Sequence, residues 1–376
     1  MPARSGLIPI SKPVITPHDL SAVVDSLQTG VLSRGQEVER LEAYLASKLQ
    51  VEHVVAVSSG TAALHVAVLA CGIGPGDEVI TTPFSFVGTV NAILLAGATP
   101  VFVDVRPDGN LDLDQAEAAI TSATKAILPV HLFGNPLDGD HLRHLRDTYQ
   151  LRVIEDCAQA LLSRWNDTPA GTLDIGAFSF YATKNVTAGE GGAIATNDHQ
   201  IAKKARMLRS QGLNEHGAPQ IVGFNYRLPE FSAALAHSQL QRVDQINAGR
   251  AQNAHRYLSS EAIRTASLGR DLPSKSMHTW HLFTLLLPHS IDRDRFARFL
   301  ASRGIGSGVY YRETIASLPH VRTQSKCFSD LRMAISLSER VLSIPVRESL
   351  TLSEVERIHD CVQYGLTPKG VESMCA

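Results

Sequence analysis

The sequence predicts an α/β protein: a large domain with a mostly parallel, seven-stranded sheet between helices, followed by a small α+β domain. Three observations carry this expectation. Seven short β-branched runs alternate with alanine-rich helical patterns, the mark of a parallel sheet covered on both faces. Several connections are short and rich in turn residues. After Asn225-Tyr226-Arg227 the alternation gives way to a largely helical pattern. With 376 residues the chain can bury a large core and a second, smaller one.

The expected strands are residues 54–57, 78–81, 99–103, 126–130, 153–155, 177–180 and 192–196. Between the first two, the segment from Ser58 to Leu64 opens an amphipathic helix whose apolar face continues through Val66, Ala67, Leu69 and Ala70. Gly72-Ile73-Gly74-Pro75-Gly76-Asp77 then supplies turn chemistry before the second strand. Residues 231–243 read as a helix that continues through 245–258 and bridges to the small domain, so the domains are placed at 1–245 and 246–376. Within the second domain a strand is expected at 279–287, a helix at 292–303 and a C-terminal helix at 353–364.

Composition narrows the partners. A net charge of −2 gives no field that would draw the chain to nucleic acid or an anionic membrane. No stretch reaches the ~18 uninterrupted apolar residues of a membrane span, and residues 1–10 lack the apolar segment of an export signal. The five cysteines are odd in number and scattered, with no CxxC pair, so neither a disulfide framework nor a zinc site is expected, and a reducing cytoplasm fits. His65 and His131 show no second ligand at a metal spacing, so no metal is expected.

Three constellations carry chemistry. Ser58-Ser59-Gly60-Thr61-Ala62-Ala63-Leu64 follows a strand and opens a helix, so free N–H groups, a close-approach glycine and a hydroxyl converge as in a phosphate cradle. Val153-Ile154-Glu155-Asp156-Cys157-Ala158-Gln159 ends a buried strand in two carboxylates, and a buried Asp156 needs a cation such as a protonated pyridine nitrogen. Ala177-Phe178-Ser179-Phe180-Tyr181-Ala182-Thr183-Lys184, with Gly189-Glu190-Gly191-Gly192 behind it, places a lysine at a strand end, where partial desolvation makes its amine a nucleophile toward an aldehyde. Taken singly, these also read as a plain helix cap, a surface carboxylate and a solvated lysine.

Taken together and in order, these segments resemble the DegT/DnrJ/EryC1/StrS group of pyridoxal-phosphate (PLP) dependent sugar aminotransferases, of fold type I. The likeness covers nearly the whole chain. It starts at Ile8-Pro9-Ile10-Ser11-Lys12-Pro13 and includes Gly74-Pro75-Gly76-Asp77-Glu78-Val79-Ile80, Gly97-Ala98-Thr99-Pro100-Val101-Phe102-Val103-Asp104, Pro129-Val130-His131-Leu132-Phe133-Gly134 and Gly223-Phe224-Asn225-Tyr226-Arg227. The resemblance implies pyridoxal 5'-phosphate held as a Schiff base by Lys184, which also shuttles the proton. By the same pattern Asp156 pairs with the ring nitrogen, Gln159 meets the ring oxygen and Phe86 stacks on the ring. Gly60, Thr61, Ala62 and Ser179 hold the phosphate, and Asn225 reaches it from the other subunit of a homodimer. Tyr181, Glu190, Arg227 and Tyr311 are placed in the substrate pocket.

Two segments depart from the family pattern: Ala160-Leu161-Leu162-Ser163, where many members have His-Gly-Ala, and Gly308-Val309-Tyr310-Tyr311-Arg312-Glu313, where His-Tyr is frequent. Both bear on the substrate more than on the chemistry. The resemblance implies transfer of an amino group from an amino acid, L-glutamate, to the keto group of a nucleotide-linked sugar. The alternatives it leaves are an aminocyclitol aminotransferase, a PLP-dependent sugar dehydratase and a non-catalytic PLP-binding regulator. The retained Lys184 argues against the dehydratases, which usually lack it.

Overall fold

In a computed structural model, residues 6–269 and 272–375 are described. The strands are β1 (His53–Val57), β2 (Glu78–Thr81), β3 (Thr99–Phe102), β4 (Thr124–Leu128), β5 (Arg152–Asp156), β6 (Arg164–Trp165), β7 (Thr168–Pro169), β8 (Ile175–Ser179), β9 (Gly192–Thr196), β10 (Phe283–Leu286), β11 (Lys326–Cys327) and β12 (Val341–Ile344). All seven expected runs form strands of one sheet, in the order β1-β9-β8-β5-β4-β2-β3-β11. Only β9 runs against its neighbours, β1 and β8, and the other pairings are parallel. The eighth strand, β11, is an edge addition of two exposed residues, pinned where Lys326 Nζ donates to Glu78 Oε1 at 2.6 Å.

Apolar residues on both strand faces explain why helices cover the sheet on each side. Val55 and Val57 pack with Ala63, Val66 and Ala67 of helix Gly60–Ala70 and with Ala205 and Leu208 of helix His199–Arg209. The alternate residues, Val54 and Ala56, pack with Leu41 and Leu45 of helix Gln36–Leu49 and with Ala233 and Ala236 of helix Glu230–Leu240. Truncating one such buried leucine to alanine costs about 2–5 kcal/mol. Before β2 the chain turns through Gly72 and Gly76, with φ of 76° and 92°, and Gly74 N donates to Asp77 Oδ2 at 3.0 Å.

The expected single helix over 231–258 is two helices, Glu230–Leu240 and Val243–Leu258. At the break Arg242 N donates to Gln239 O, a three-residue bond, and the Arg242 guanidinium reaches buried Asp19 at 2.6 Å and Val14 O at 2.9 Å. Asp19 also accepts from Ser238 Oγ at 2.7 Å, so this network docks helix Pro17–Gln28 onto the break. The strand expected at 279–287 covers only Phe283–Leu286, because Thr279 N and Leu282 N donate instead to Gly134 O and Phe133 O.

β10 pairs antiparallel with β12 over a second core that includes Tyr257, Phe283, Phe296, Leu300, Leu342 and Ile358. Ile8 of the N-terminal arm belongs to this core and bridges to Ile305. The helices expected at 292–303 and 353–364 are Arg293–Ser302, capped by Asp292, and Leu352–Gly365, capped by Thr351; a further helix follows at Pro368–Cys375.

Candidate active site

Because β1, β2, β5 and β8 point the same way, their carboxyl ends meet at one edge of the sheet. A cavity of about 450 Å³ opens there. Such an edge is where α/β sheets receive ligands.

Its floor comes from β5. Asp156 is 4% exposed, and burial pushes its carboxyl up. Its Oδ2 accepts from Thr89 Oγ1 at 2.8 Å and its Oδ1 from Ala158 N at 3.1 Å, so both hydrogen-bond partners are neutral. Glu155, one residue back on the strand, faces away from Asp156. It accepts from Leu173 N at 3.0 Å and lies 2.9 Å from His131 Nε2. The expectation that His131 has no carboxylate beside it is therefore corrected. Its Nδ1 accepts from Leu137 N at 3.0 Å, which leaves Nε2 to donate to Glu155, and both ring nitrogens are used. Cys157 lies close enough to complete a three-ligand cluster, but with both imidazole nitrogens engaged the histidine has no lone pair to offer a metal.

β8 and the turn after it supply the amine. Lys184 N donates to Tyr181 O at 2.9 Å, closing a tight turn, and buried Asn185 fastens it by donating to Asn247 Oδ1 and Thr279 O, each at 2.9 Å. Burial lowers the Lys184 ammonium to about 8, against the opposing pull of Asp156. The same desolvation, helped by Lys184 and Arg250, holds His281 neutral on the cavity wall.

The opening turn of helix Gly60–Ala70 forms the other end. Ser59 caps it by accepting from Ala62 N at 3.1 Å, while the amides of Gly60 and Thr61 head the helix with no intrahelical acceptor. A Cβ on Gly60 would sit 2.8 Å from Ser179 Cβ, so only glycine lets Ser179 face the helix start. Two hydroxyls and unpaired amides at a helix N-terminus make an anion cradle.

Phe86 stands over the cavity, 58% exposed, with its ring centroid 6.4 Å from that of Tyr311. Gln159 is held on both sides: its Oε1 accepts from Phe133 N at 2.8 Å and its Nε2 donates to Tyr311 Oη at 3.0 Å. The expected glutamine contact with a ring oxygen thus falls on the amide that now serves Tyr311. Burial raises the Tyr311 phenol, which stays protonated at neutral pH. Tyr181 and Glu190 line the rim.

The structure therefore gathers Gly60, Thr61, Phe86, Asp156, Gln159, Ser179, Tyr181, Lys184, Glu190 and Tyr311 around one cavity. Ala62 is buried in the helix behind the cradle. Asn225 and Arg227 do not line it; Asn225 is exposed, and its segment is tied down where Ser58 N donates to Tyr226 O at 2.8 Å. Sequence reasoning missed Ser85, Thr89, Arg250, His281 and Tyr310, all of which line the cavity. Ser85 flanks Phe86 and was within reach. Arg250 and Thr89 sit on helices as ordinary-looking residues and carried no signal.

A lysine amine kept near neutrality, a buried carboxylate without a hydrogen-bonded cation, an anion cradle and a free aromatic face fit pyridoxal 5'-phosphate, and with this sheet they define a PLP-dependent aminotransferase. The profile of the DegT/DnrJ/EryC1/StrS aminotransferase family matches residues 13–363, and the chain belongs to that family. It is similar to DesV of S. venezuelae, solved in complex with a ketimine intermediate, at 34% identity over 93% of this chain and 94% of that one, with a TM-score of 0.87. It is similar to Helicobacter pylori PseC, an aminotransferase involved in the biosynthesis of pseudoaminic acid, at 28% identity over 98% and 100%, TM-score 0.89. It also resembles DesI, solved in the presence of its TDP-sugar product, at 29% identity over 99% and 95%, TM-score 0.88. Family and neighbours make the protein a sugar aminotransferase by kinship. Among the described residues no helix is long and apolar enough to cross a membrane.

Proposed function

We propose that the protein moves an amino group from L-glutamate to the keto group of a nucleotide-linked sugar, in two half-reactions at one site. The observation that carries this is the pairing of Lys184 and Asp156 in a single cavity beside the Gly60–Thr61 cradle. PLP, when bound, supplies the electron sink that stabilises the carbanion left as a proton departs the substrate carbon. Asp156 would hold the ring nitrogen, Ser179 and the helix amides would hold the phosphate, and Phe86 would cover the ring face. Lys184 Nζ would anchor the cofactor and, as a free amine during turnover, would carry the proton. With its pKa lowered to about 8, the amine both takes and returns that proton near neutral pH. Tyr311, kept protonated, offers a hydroxyl to the substrate, while Tyr181 and Glu190 meet its outer parts; Arg227, off the cavity of its own chain, has no place in this set.

The reading includes a cytoplasmic homodimer in which Asn225, exposed and off its own cavity, reaches the phosphate in the partner's site. It also divides the chain into a cofactor-binding unit, residues 1–245, and a smaller unit, 246–376, that lends Arg250, His281, Tyr310 and Tyr311 to the cavity. The nucleotide-linked acceptor is supported by kinship with DesI and its TDP-sugar product. The test is an absorbance titration of the purified holoprotein. The visible band of the lysine-linked cofactor bleaches on adding L-glutamate and returns on adding a nucleotide-linked keto sugar. A band that glutamate leaves unchanged refutes the donor. A bleached band that a panel of such sugars fails to restore refutes the acceptor.

A further inference from the structure

We propose that Thr89 is a positioning residue that orients the Asp156 carboxylate toward the ring nitrogen, and that Ser85 completes the relay by donating its hydroxyl proton to Thr89. The proposal rests on the assignment of Asp156 to the ring nitrogen.

The local fold brings Ser85 and Thr89 together on one side of Asp156, which ends β5. After β2 the chain turns through Ser85 and Phe86 into helix Gly88–Leu95, so Ser85 and Thr89 stand one helical turn apart. Thr89 is 1% exposed and Ser85 4%. Thr89 Oγ1 lies 2.8 Å from Asp156 Oδ2, and Ser85 Oγ lies 3.1 Å from Thr89 Oγ1. The directions follow from donor and acceptor inventory. An ionised carboxylate has no proton, so Thr89 donates to it. Having spent its only proton there, Thr89 can meet Ser85 only as an acceptor, so Ser85 donates.

Each Asp156 oxygen thus has one fixed donor, Ala158 N on Oδ1 and Thr89 on Oδ2, which sets the plane of the carboxylate. A hydrogen bond to the charged form of a buried acid favours that form. The other charge facing Asp156 is Lys184, from the turn after β8, which favours the carboxylate as well; His131, from the segment after β4, also faces it, but with Nδ1 accepting from Leu137 N it is the neutral imidazole. Thr89 is the side-chain hydrogen-bond donor that stays on Asp156 when the cofactor is held, since Lys184 would be taken up in anchoring it. With Thr89 favouring the ionised carboxylate, Asp156 would keep a bound pyridine ring protonated, the form that serves as the electron sink. Gly88 keeps the helix start tight: a Cβ there would lie 2.9 Å from Thr61 Oγ1.

The test compares Thr89→Val, Thr89→Ser and Ser85→Ala with the parent protein. In the apoprotein, carboxyl carbon NMR follows the titration of Asp156. Thr89→Val raises its midpoint by about one unit, a roughly tenfold change in acid dissociation constant; Ser85→Ala raises it less, and Thr89→Ser leaves it near the parent value. In the holoprotein, Thr89→Val slows the bleaching of the cofactor band by glutamate about tenfold or more at saturating donor, while the serine variant restores it. If the valine variant does not fold, Thr89→Ala against Thr89→Ser gives the same contrast. An Asp156 midpoint and bleaching rate unchanged in Thr89→Val overturn the proposal and leave the assignment of Asp156 standing. A parent protein that takes up no cofactor overturns that assignment instead.

Discussion

The lowered pKa of Lys184 can be tested before any substrate is known. An ordinary lysine titrates at 10.5, whereas burial brings Lys184 to about 8. At pH 7 roughly one amine in ten is then neutral, against roughly one in three thousand for the ordinary side chain, about a 300-fold gain in nucleophile. The rate at which apoprotein takes up PLP should rise about tenfold between pH 6 and 7, bend near 8 and stay flat above 9. Asp156 opposes the shift by favouring the ammonium, so Asp156→Asn moves the bend to lower pH. The assay is stopped-flow absorbance of apoprotein mixed with PLP across pH 6–10, with free N-acetyl-lysine as reference. A rate still climbing tenfold between pH 9 and 10, or a bend that moves upward in Asp156→Asn, would refute the account of Lys184 as a desolvated amine.

Three further outcomes are expected. Phe86→Ala weakens PLP binding by about 2–10-fold, the worth of one aromatic stacking contact, and leaves the unfolding midpoint unchanged because the ring is largely exposed; fluorescence titration and thermal melting separate the two. Lys184→Ala and Asn225→Asp are each inactive, yet mixed and refolded subunits recover about a quarter of parental activity, since half the dimers are hybrids with one intact site of two; no recovery would mean the site is not shared. Asp19→Ala costs about 3 kcal/mol in denaturant unfolding by leaving the Arg242 guanidinium without its carboxylate, with, among the described residues, only Val14 O to accept from it. Burial opposes ionisation of Asp19, but its hydrogen bonds from Thr16 and Ser238 and the charge of Arg242 outweigh that and lower its pKa. Its stabilisation is therefore present above the ordinary value of 3.8 and fades as the pH falls below it; equilibrium unfolding of the parent protein and Asp19→Ala across that range checks the sign.

The strands were legible because each is buried on both faces and so reads as a short apolar run. β11 was not, since Lys326 and Cys327 are exposed and carry no pattern. The helix break at Gln241-Arg242 has neither glycine nor proline; it is imposed by Asp19, more than two hundred residues away in sequence. The same division holds in the site. Lys184, Asp156 and the Gly60 turn could be singled out by residue type and position after a strand, but their roles came from the ordered resemblance to a family. Thr89 could not, because a threonine within a helix looks the same whether or not a carboxylate waits beside it. Asn225 is exposed and lies off the cavity of its own chain, so its expected role rests on the proposed second chain.

The cavity is assembled from two kinds of support. Asp156 and Ser179 end strands of one close-packed sheet and Lys184 follows in a pinned turn, whereas Ile10, Ser11, Tyr310 and Tyr311 come from the N-terminal arm and a late loop. A substitution in the arm or the late loop reshapes the mouth without disturbing the amine and its carboxylate. The lineage can therefore exchange one acceptor for another by drift at the periphery, and of the two segments that depart from the expected pattern only the late loop lies there; the other, Ala160 to Ser163, is buried and lines no part of the cavity.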